Sequence, residues 1–277
     1  MIVIARDQTA ALIAARGFSV HSAALGSFTA RARCEPLLTE DVDSLIVATK
    51  ATGLAAALGR VQSAPGLVVP LLNGLEHMEL LRSRFGQSSV AVGVIRIESD
   101  RPSPGEIVQT SPAAQIDLAA DEPALGARLA ALGSTLERTG IQVRIGTNER
   151  QVLWSKLARL NALALTTSAS DRPIGFVRSD PRWRSALDGA IAETVAVANA
   201  DGARLRAGDT LAELEQAHAE LGSSMQRDIA SGREPELDAI AGAVLRAGAR
   251  NGLRCPTVQW LAERVAARAG IPAPGLT

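Results

Sequence analysis

Two ionisable residues have sequence surroundings that suit acid–base chemistry. Lys156 lies in a largely apolar segment, residues 151–161, that predicts a helix. A lysine beside an apolar helix face usually extends its ammonium group to solvent, whereas a lysine partly removed from water can protonate a developing alkoxide. Glu236 follows Pro235 at the start of another predicted helix. A carboxylate in that position either interacts with the helix dipole or orients a substrate hydroxyl or the lysine.

Other polar groups stand where predicted helices begin or predicted strands end. Ser223 and Ser224 precede a helical run, where a serine hydroxyl caps the helix or binds a substrate carboxylate. Arg6, Lys50 and Asn73 each follow a short apolar run that predicts a buried strand. Because ligands of parallel sheets bind at the carboxyl ends of the strands, these three side chains predict a site for an anionic ligand.

The composition argues against several other classes of ligand. The chain has 29 basic and 29 acidic residues, and its basic residues are dispersed, so we expect neither a nucleic-acid surface nor a membrane-binding surface. No apolar run reaches the roughly 18 residues of a membrane helix. The three histidines lack the spacing of a metal site, and we expect no bound metal. Cys34 and Cys255 are predicted to be reduced thiols of a cytoplasmic protein.

The first half of the chain alternates short apolar runs with amphipathic stretches, which is typical of a parallel sheet with crossover helices. Buried strands are predicted over 2–5, 45–48, 67–71 and 91–95. A helix is predicted over 7–16 with Asp7 as its cap. A second follows the strand at 45–48 and continues to about 58, and a third extends from about 73 to 86. The runs at 106–109, 115–118 and 142–145 alternate more strongly and predict smaller antiparallel additions.

From Asn148 onward the apolar pattern has the period of helices. The predicted helices cover 149–168, 182–201, 208–220, 222–231, 236–252 and 256–269. A chain of 277 residues is long enough for two domains, which we place at 1–147 and 148–277. An α/β domain followed by an all-helical domain predicts a ligand-binding cleft between the two.

Several of these segments, taken in order, resemble one protein family. Four segments of the second half are similar to the helical domain of ketopantoate reductases: Leu153–Leu157, Arg172–Gly175, Ser223–Ile229 and Glu236–Asp238. Four of the first half resemble the Rossmann domain of that family: Ile4–Arg6, Val47–Lys50, Pro70–Gly74 and Pro104–Gly105. The resemblance covers nearly the whole chain. It implies an α/β Rossmann-like N-terminal domain followed by an all-helical C-terminal domain like that of 6-phosphogluconate dehydrogenase.

The resemblance also implies an activity and residue roles. The family reduces ketopantoate, a 2-oxo acid, to pantoate with NADPH on the route to pantothenate and coenzyme A. Lys156 would then be the catalytic general acid, and Glu236 would help to hold cofactor and substrate. The implied substrate-binding residues are Ser224 and Asn161, and the implied cofactor-binding residues are Arg6, Lys50 and Asn73. Arg6 would face the 2′-phosphate of NADPH, and a homodimer is compatible with the resemblance.

The sequence departs from the family at the substrate positions. The family has asparagines four and eight residues after the catalytic lysine, where this chain has Leu160 and Ala164. Asn161 comes one residue later, about 100° further round a helix. Another branched 2-oxo acid is therefore open as the substrate.

The second departure concerns the phosphate loop. Family members begin with a strand and a G-x-G-x-x-G turn, and no such turn occurs in this sequence. We therefore expect that the chain starts after this loop and that its sheet lacks the central strand, which leaves strand edges unpaired. A non-catalytic remnant that dimerises or binds a small acid stays open. If 2–5 were instead the first strand, the phosphate turn would carry Asp7, which would repel phosphate.

Overall fold

The computed structural model describes residues 1–275, which form two compact units. The first unit contains Met1–Leu72 and His77–Glu149, and the second contains Asn73–Glu76 and the chain from Arg150 onward. The predicted boundary at residue 147 lies close to this division. The short segment Asn73–Glu76 differs from the prediction, because it packs with the helical unit rather than with the α/β unit that surrounds it in sequence.

The first unit alternates strands and helices along the chain. Its elements are β1 (Ile2–Ile4), α1 (Asp7–Arg16), β2 (Phe18–Ser22), β3 (Gly26–Ala30), β4 (Arg33–Glu35), β5 (Ser44–Val47), α2 (Leu54–Leu58), β6 (Leu67–Pro70), α3 (His77–Phe85), β7 (Val92–Arg96), β8 (Ser99–Asp100), β9 (Glu106–Gln109), β10 (Gln115–Ala119), α4 (Gly126–Glu137) and β11 (Gln142–Gly146). Short 3-10 turns precede α2, β7 and α4. Because the predicted apolar runs coincide with these strands, the alternating α/β pattern of this half is confirmed.

Two short parallel strand pairs position the predicted cofactor residues. β1 pairs with β4 and β5 pairs with β6, with Ile2 opposite Arg33 and Ser44 opposite Leu67. Within residues 1–275 no ladder joins these two pairs, so β1 and β5 each have one unpaired edge. On β5, Ile46 remains 38% exposed, which is unusual for a strand of a parallel sheet.

The pairings of the other strands agree only in part with the predicted antiparallel additions. β10 is antiparallel to β7, as predicted, but it is parallel to β11. β9 is parallel to β2 and antiparallel to β8. The prediction failed for β10 and β11 because alternation was taken as a sign of a solvent-exposed face, whereas Leu118 and Ala119 in β10 are fully buried. The β2–β3 hairpin was not predicted, because it has few apolar residues.

The second unit contains only helices. They are α5 (Glu149–Ser170), α6 (Ile174–Ser179), α7 (Pro181–Ala200), α8 (Ala207–Gln216), α9 (Ser224–Ala230), a π-helical turn (Asp238–Gly242), α10 (Ala243–Arg250) and α11 (Pro256–Ala269). The six predicted helices are confirmed, although 236–252 contains the π turn and α6 was not predicted. No helix in the described part of the chain is long and apolar enough to cross a membrane.

Helix α5 forms the centre of the helical core. Its residues from Asn161 to Ala169 are all buried, because helices pack around this part of it. Proline starts α7 and α11, where its missing N–H costs little. The free N–H groups of Thr257 and Val258 in the first turn of α11 donate to the Glu193 carboxylate of α7, each at 2.9 Å. These bonds fix α11 against α7.

Candidate active site

Asn73 and Glu236, predicted separately from the two halves of the sequence, are in contact. The Asn73 amide Nδ2 donates to Glu236 Oε2 at 2.9 Å, and both side chains are half-buried. A hydrogen bond to a carboxylate is stronger than one between neutral groups, and partial burial limits competition from water. The structure thus brings one predicted cofactor residue and one predicted catalytic residue together in the helical unit.

The contact between Asn73 and Glu236 depends on a glycine. Gly74 has φ +90°, and a Cβ at this position would lie 2.3 Å from the carbonyl oxygen of Ala239. Only glycine tolerates both this backbone conformation and this close approach. Ala239 belongs to the π turn that begins two residues after Glu236. Such turns are often found at functional sites, because they redirect the side chains next to them.

Lys156 lies on α5, and its neighbours fix the orientation of the helix. Trp154 is 1% exposed, and its Nε1–H donates to Asp201 Oδ2 at 2.8 Å. Leu157 is buried on the same helix, whereas Lys156 itself is half-buried. The burial of Trp154 and Leu157 fixes the rotation of α5 about its axis, and with it the face on which Lys156 lies.

Ser223 and Ser224 differ in burial and in their hydrogen bonds. Ser223 is buried and caps α9, because its Oγ accepts the N–H of Gln226 at 3.1 Å. It also accepts a hydrogen bond of 3.0 Å from the hydroxyl of Thr167. Ser224 is the first residue of α9 and is exposed. Capping therefore belongs to Ser223, and the Ser224 hydroxyl lies at the surface.

Asn161 is buried in the core of the helical unit. Its side chain is completely buried, and Nδ2 donates to Thr194 Oγ1 of α7 at 2.9 Å. This placement is at odds with the predicted substrate contact, because the amide faces the core between α5 and α7. The physical reason is the one-residue offset, which turns the side chain by about 100°. Leu160 packs against the same core, and Ala164 is fully buried.

Arg6 and Lys50 lie at the carboxyl ends of β1 and β5 in the first unit, and both are exposed. Arg6 is the N-cap of α1 and makes no capping bond through its side chain. The prediction that Asp7 caps this helix is wrong, because Asp7 is the first helical residue. There its carboxylate is stabilised by the helix dipole.

Sequence reasoning missed Arg60, which contacts the same end of β1. Its Nη1 donates to the carbonyl oxygen of Pro36 at 2.9 Å and to that of Ala5 at 3.5 Å. Its Nη2 lies 3.5 Å from Asp7 Oδ2. No motif surrounds Arg60, so only the fold reveals it.

These side chains fit part of a dinucleotide. Exposed Arg6 and Lys50 suit phosphate groups at strand ends, where such ligands bind. Arg6 and the first residues of α1, residues 6–9, include no glycine and carry the Asp7 carboxylate, so the backbone here is unsuited to a pyrophosphate. The described residues therefore fit phosphate through cationic side chains rather than through a backbone cradle.

Metal and thiol chemistry find no support in residues 1–275. Within that range, no three His, Cys, Asp or Glu side chains are placed to hold a metal ion. Cys34 and Cys255 are free and buried. Burial, together with the nearby Glu193 carboxylate, raises the pKa of the Cys255 thiol to about 11, so this thiol is protonated at neutral pH.

An α/β unit followed by an all-helical unit is the domain order of a known family. Two family models match the chain: "Ketopantoate reductase PanE/ApbA" over residues 1–122 and "Ketopantoate reductase PanE/ApbA C terminal" over residues 148–269. Together they span most of the sequence in the order of the two units. The chain belongs to the ketopantoate reductase family, as the resemblance predicted.

Individual relatives agree with this assignment. The 2-dehydropantoate 2-reductase of Halobacterium salinarum is 25% identical over 236 residues, which are 83% of this chain and 77% of the relative. That of Mycobacterium tuberculosis is 29% identical over 238 residues, 83% of this chain and 78% of the relative. The 2-dehydropantoate 2-reductase structure from Geobacter metallireducens superposes with a TM-score of 0.88 at 25% identity, covering 96% of this chain and 91% of the other.

A structure of D-mandelate dehydrogenase with NADH and anilino(oxo)acetate has the same fold. Its TM-score is 0.88 at 19% identity, covering 97% of this chain and 90% of the other. At this identity the likeness concerns the fold alone. Membership of the family supports an oxidoreductase with a nicotinamide cofactor and a small-molecule substrate.

Proposed function

We propose that this chain reduces ketopantoate to pantoate with NADPH in the cytoplasm. The observation that carries the proposal is the 2.9 Å hydrogen bond between Asn73 and Glu236. It joins two residues to which the family motifs give different roles, and it lies in the unit that also contains Lys156. Sequence motifs alone do not require the two side chains to meet, so the contact adds a structural observation to the motifs.

Each proposed residue has a defined task at the carbonyl group. The nicotinamide cofactor, when bound, supplies a hydride to the carbonyl carbon. The Lys156 ammonium donates a proton to the carbonyl oxygen, which neutralises the charge that develops there. Glu236, held by the amide of Asn73, accepts a hydrogen bond from the substrate hydroxyl. The Ser224 hydroxyl donates to the substrate carboxylate.

The choice of NADPH rests on the cations at the strand ends. Arg6 binds the 2′-phosphate that distinguishes NADPH from NADH, and Lys50 binds a phosphate of the same dinucleotide. A guanidinium group suits a phosphate because it can donate two parallel hydrogen bonds. Arg60 holds the end of β1 in place through the carbonyl oxygen of Pro36, at 2.9 Å. Asn73 is the third proposed cofactor-binding residue.

A second substrate is favoured by one specific observation. The two positions that are asparagine in the family are Leu160, which packs against the helical core, and Ala164, which is fully buried. Neither offers a hydrogen bond to a substrate. A branched 2-oxo acid without the hydroxyl group of ketopantoate would be less affected by this loss, because it leaves no polar group unpaired.

Steady-state NADPH oxidation with a panel of 2-oxo acids tests the proposal. The panel contains ketopantoate, 2-oxoisovalerate and benzoylformate, and the specificity is read from kcat/KM. The highest kcat/KM for ketopantoate supports the proposed substrate. A higher value for 2-oxoisovalerate supports the second candidate. Absence of NADPH oxidation with every acid overturns both and favours a non-catalytic role.

A further inference from the structure

Arg246 of α10 joins two segments that flank the Asn73–Glu236 contact. Its Nε and Nη2 donate to the two carboxylate oxygens of Glu76, each at 2.7 Å. Its Nη1 donates to Asp238 Oδ1 at 2.8 Å, and Nη2 donates to Asp238 Oδ2 at 3.1 Å. The arginine side chain is only 14% exposed. One guanidinium group therefore binds two carboxylates, each through a pair of hydrogen bonds, which fixes their relative positions.

A second glycine makes room for this arginine. A Cβ on Gly242 would lie 2.6 Å from Asp238 Oδ1 and 2.9 Å from Arg246 Nη1. The ion pair thus occupies the space that a side chain at position 242 would fill. The hydrogen bonds that the Arg246 guanidinium donates to Glu76, and then those to Asp238, hold its pKa above its ordinary value.

The two carboxylates stand close to the predicted site in sequence. Glu76 ends the segment that begins with Asn73, and Asp238 begins the π turn that follows Glu236. Between them Gly74 lies against Ala239. The segment Asn73–Glu76 is therefore attached to the π-turn region at both of its ends, by Asn73 to Glu236 and by Glu76 to Arg246. Without the guanidinium, the Glu76 and Asp238 carboxylates would repel each other, and the segment would move away from the turn.

We propose that Arg246 is a positioning residue. Its guanidinium lies against Gly242 and holds Asn73–Glu76 against the π turn, so that the Asn73 amide can donate its hydrogen bond to Glu236. The attachment of the segment stands on the contacts alone. Its effect on turnover rests on the proposed function, in which Glu236 contacts the substrate. Arg246 itself is not proposed to touch substrate or cofactor.

Three variants of the full chain test this proposal. Arg246→Met removes the hydrogen bonds and the charge, and Arg246→Lys keeps the charge but loses the paired geometry. Arg184→Met is the matched control, because Arg184 also binds two carboxylates of the helical unit, those of Asp188 and Glu215, away from Asn73–Glu76. Amide hydrogen exchange is measured by mass spectrometry over the whole chain, and kcat and KM are measured with NADPH and ketopantoate.

For Arg246→Met we expect exchange to rise by about 10- to 100-fold in Asn73–Glu76 and in the π turn, the range that the loss of charged hydrogen bonds implies. Arg246→Lys should give an intermediate rise and recover part of kcat. Arg184→Met should leave exchange in both segments unchanged. If Arg246→Met does not fold, the exchange and kinetics of Arg246→Lys alone test the proposal, because this variant retains the charge.

Two results overturn the proposal. The first is unchanged exchange in Asn73–Glu76 in a folded Arg246 variant, or a rise that is uniform over the helical unit. The second is a selective rise in exchange with unaltered kcat and KM. If exchange rises selectively but the unaltered chain oxidises no NADPH with any 2-oxo acid, the proposed function fails while the attachment of the segment is upheld.

Discussion

Replacing Gly74 with alanine tests the close contact on which the site geometry depends. The residue has φ +90°, and an added Cβ would lie 2.3 Å from the carbonyl oxygen of Ala239. Since real Cβ atoms essentially never approach other atoms within 3.0 Å, the backbone must move by about 0.7 Å. Such a movement would also pull the Asn73 amide away from Glu236.

Two costs add up in this variant. The left-handed backbone conformation costs a residue with a side chain about 1–2 kcal/mol. Forcing an extra methyl group into a packed contact costs about 1–3 kcal/mol more. We therefore expect Gly74→Ala to lower the free energy of unfolding of the helical unit by about 2–5 kcal/mol.

Gly252→Ala separates the two costs. Gly252 also lies in the helical unit and has φ +69°, but a Cβ there would meet nothing within 4 Å. This control should lose only the backbone part, about 1–2 kcal/mol. The three tryptophans, Trp154, Trp183 and Trp260, all belong to the helical unit, so their fluorescence during urea denaturation reports on that unit. Equal urea midpoints for Gly74→Ala and Gly252→Ala would refute the close contact.

Three further predictions concern residues of the helical unit. Trp154→Phe removes the 2.8 Å hydrogen bond to Asp201 and leaves a cavity, so the free energy of unfolding should fall by about 1–3 kcal/mol in urea denaturation followed by circular dichroism; an unchanged midpoint would contradict this. The hydrogen bond from Arg268 holds the pKa of the Asp171 carboxyl below its ordinary value. The ionised Asp171 carboxylate therefore stabilises the folded chain above the ordinary carboxyl pKa, and this stabilisation is lost as the pH falls through the lowered pKa. Asp171→Asn should accordingly reduce Tm at neutral pH and not in strong acid. A reduction that persists in strong acid would exclude the ion pair as its cause. Because burial raises the pKa of Cys255 to about 11, iodoacetamide should modify this thiol at neutral pH far more slowly in the folded chain than in urea, as peptide mapping can show; equal rates would argue against the burial.

The helices could be predicted because their apolar period and their ends are both visible in the sequence. Gly17 ends α1 with φ +76° directly after the predicted range 7–16, and Pro256 begins α11 at the start of the predicted range 256–269. The π turn at Asp238–Gly242 could not be predicted, because one extra residue in a helical turn leaves no mark on composition or period. The structure shows that Gly74 lies directly against Ala239 of this turn.

The site residues show the same limit. Asn73 and Glu236 were each predicted from their local surroundings, but their contact depends on the fold. Asn161 shows that a residue of the right type one position away faces the core instead. Arg60 and Arg246 stand in no recognisable motif, and their importance follows only from the carbonyl and carboxylate groups that surround them in the structure.

Comparison of the unaltered chain with Lys156→Ala tests the central claim most directly. The assay is the turnover of NADPH with ketopantoate, and NADPH binding is followed in parallel by its fluorescence. We predict ketopantoate-dependent oxidation by the unaltered chain and a kcat lowered by a factor on the order of 10²–10⁴ in the variant, with NADPH affinity nearly unchanged. Equal turnover in both chains, or none in the unaltered chain, would contradict the assignment of Lys156 as the proton donor of a ketopantoate reductase.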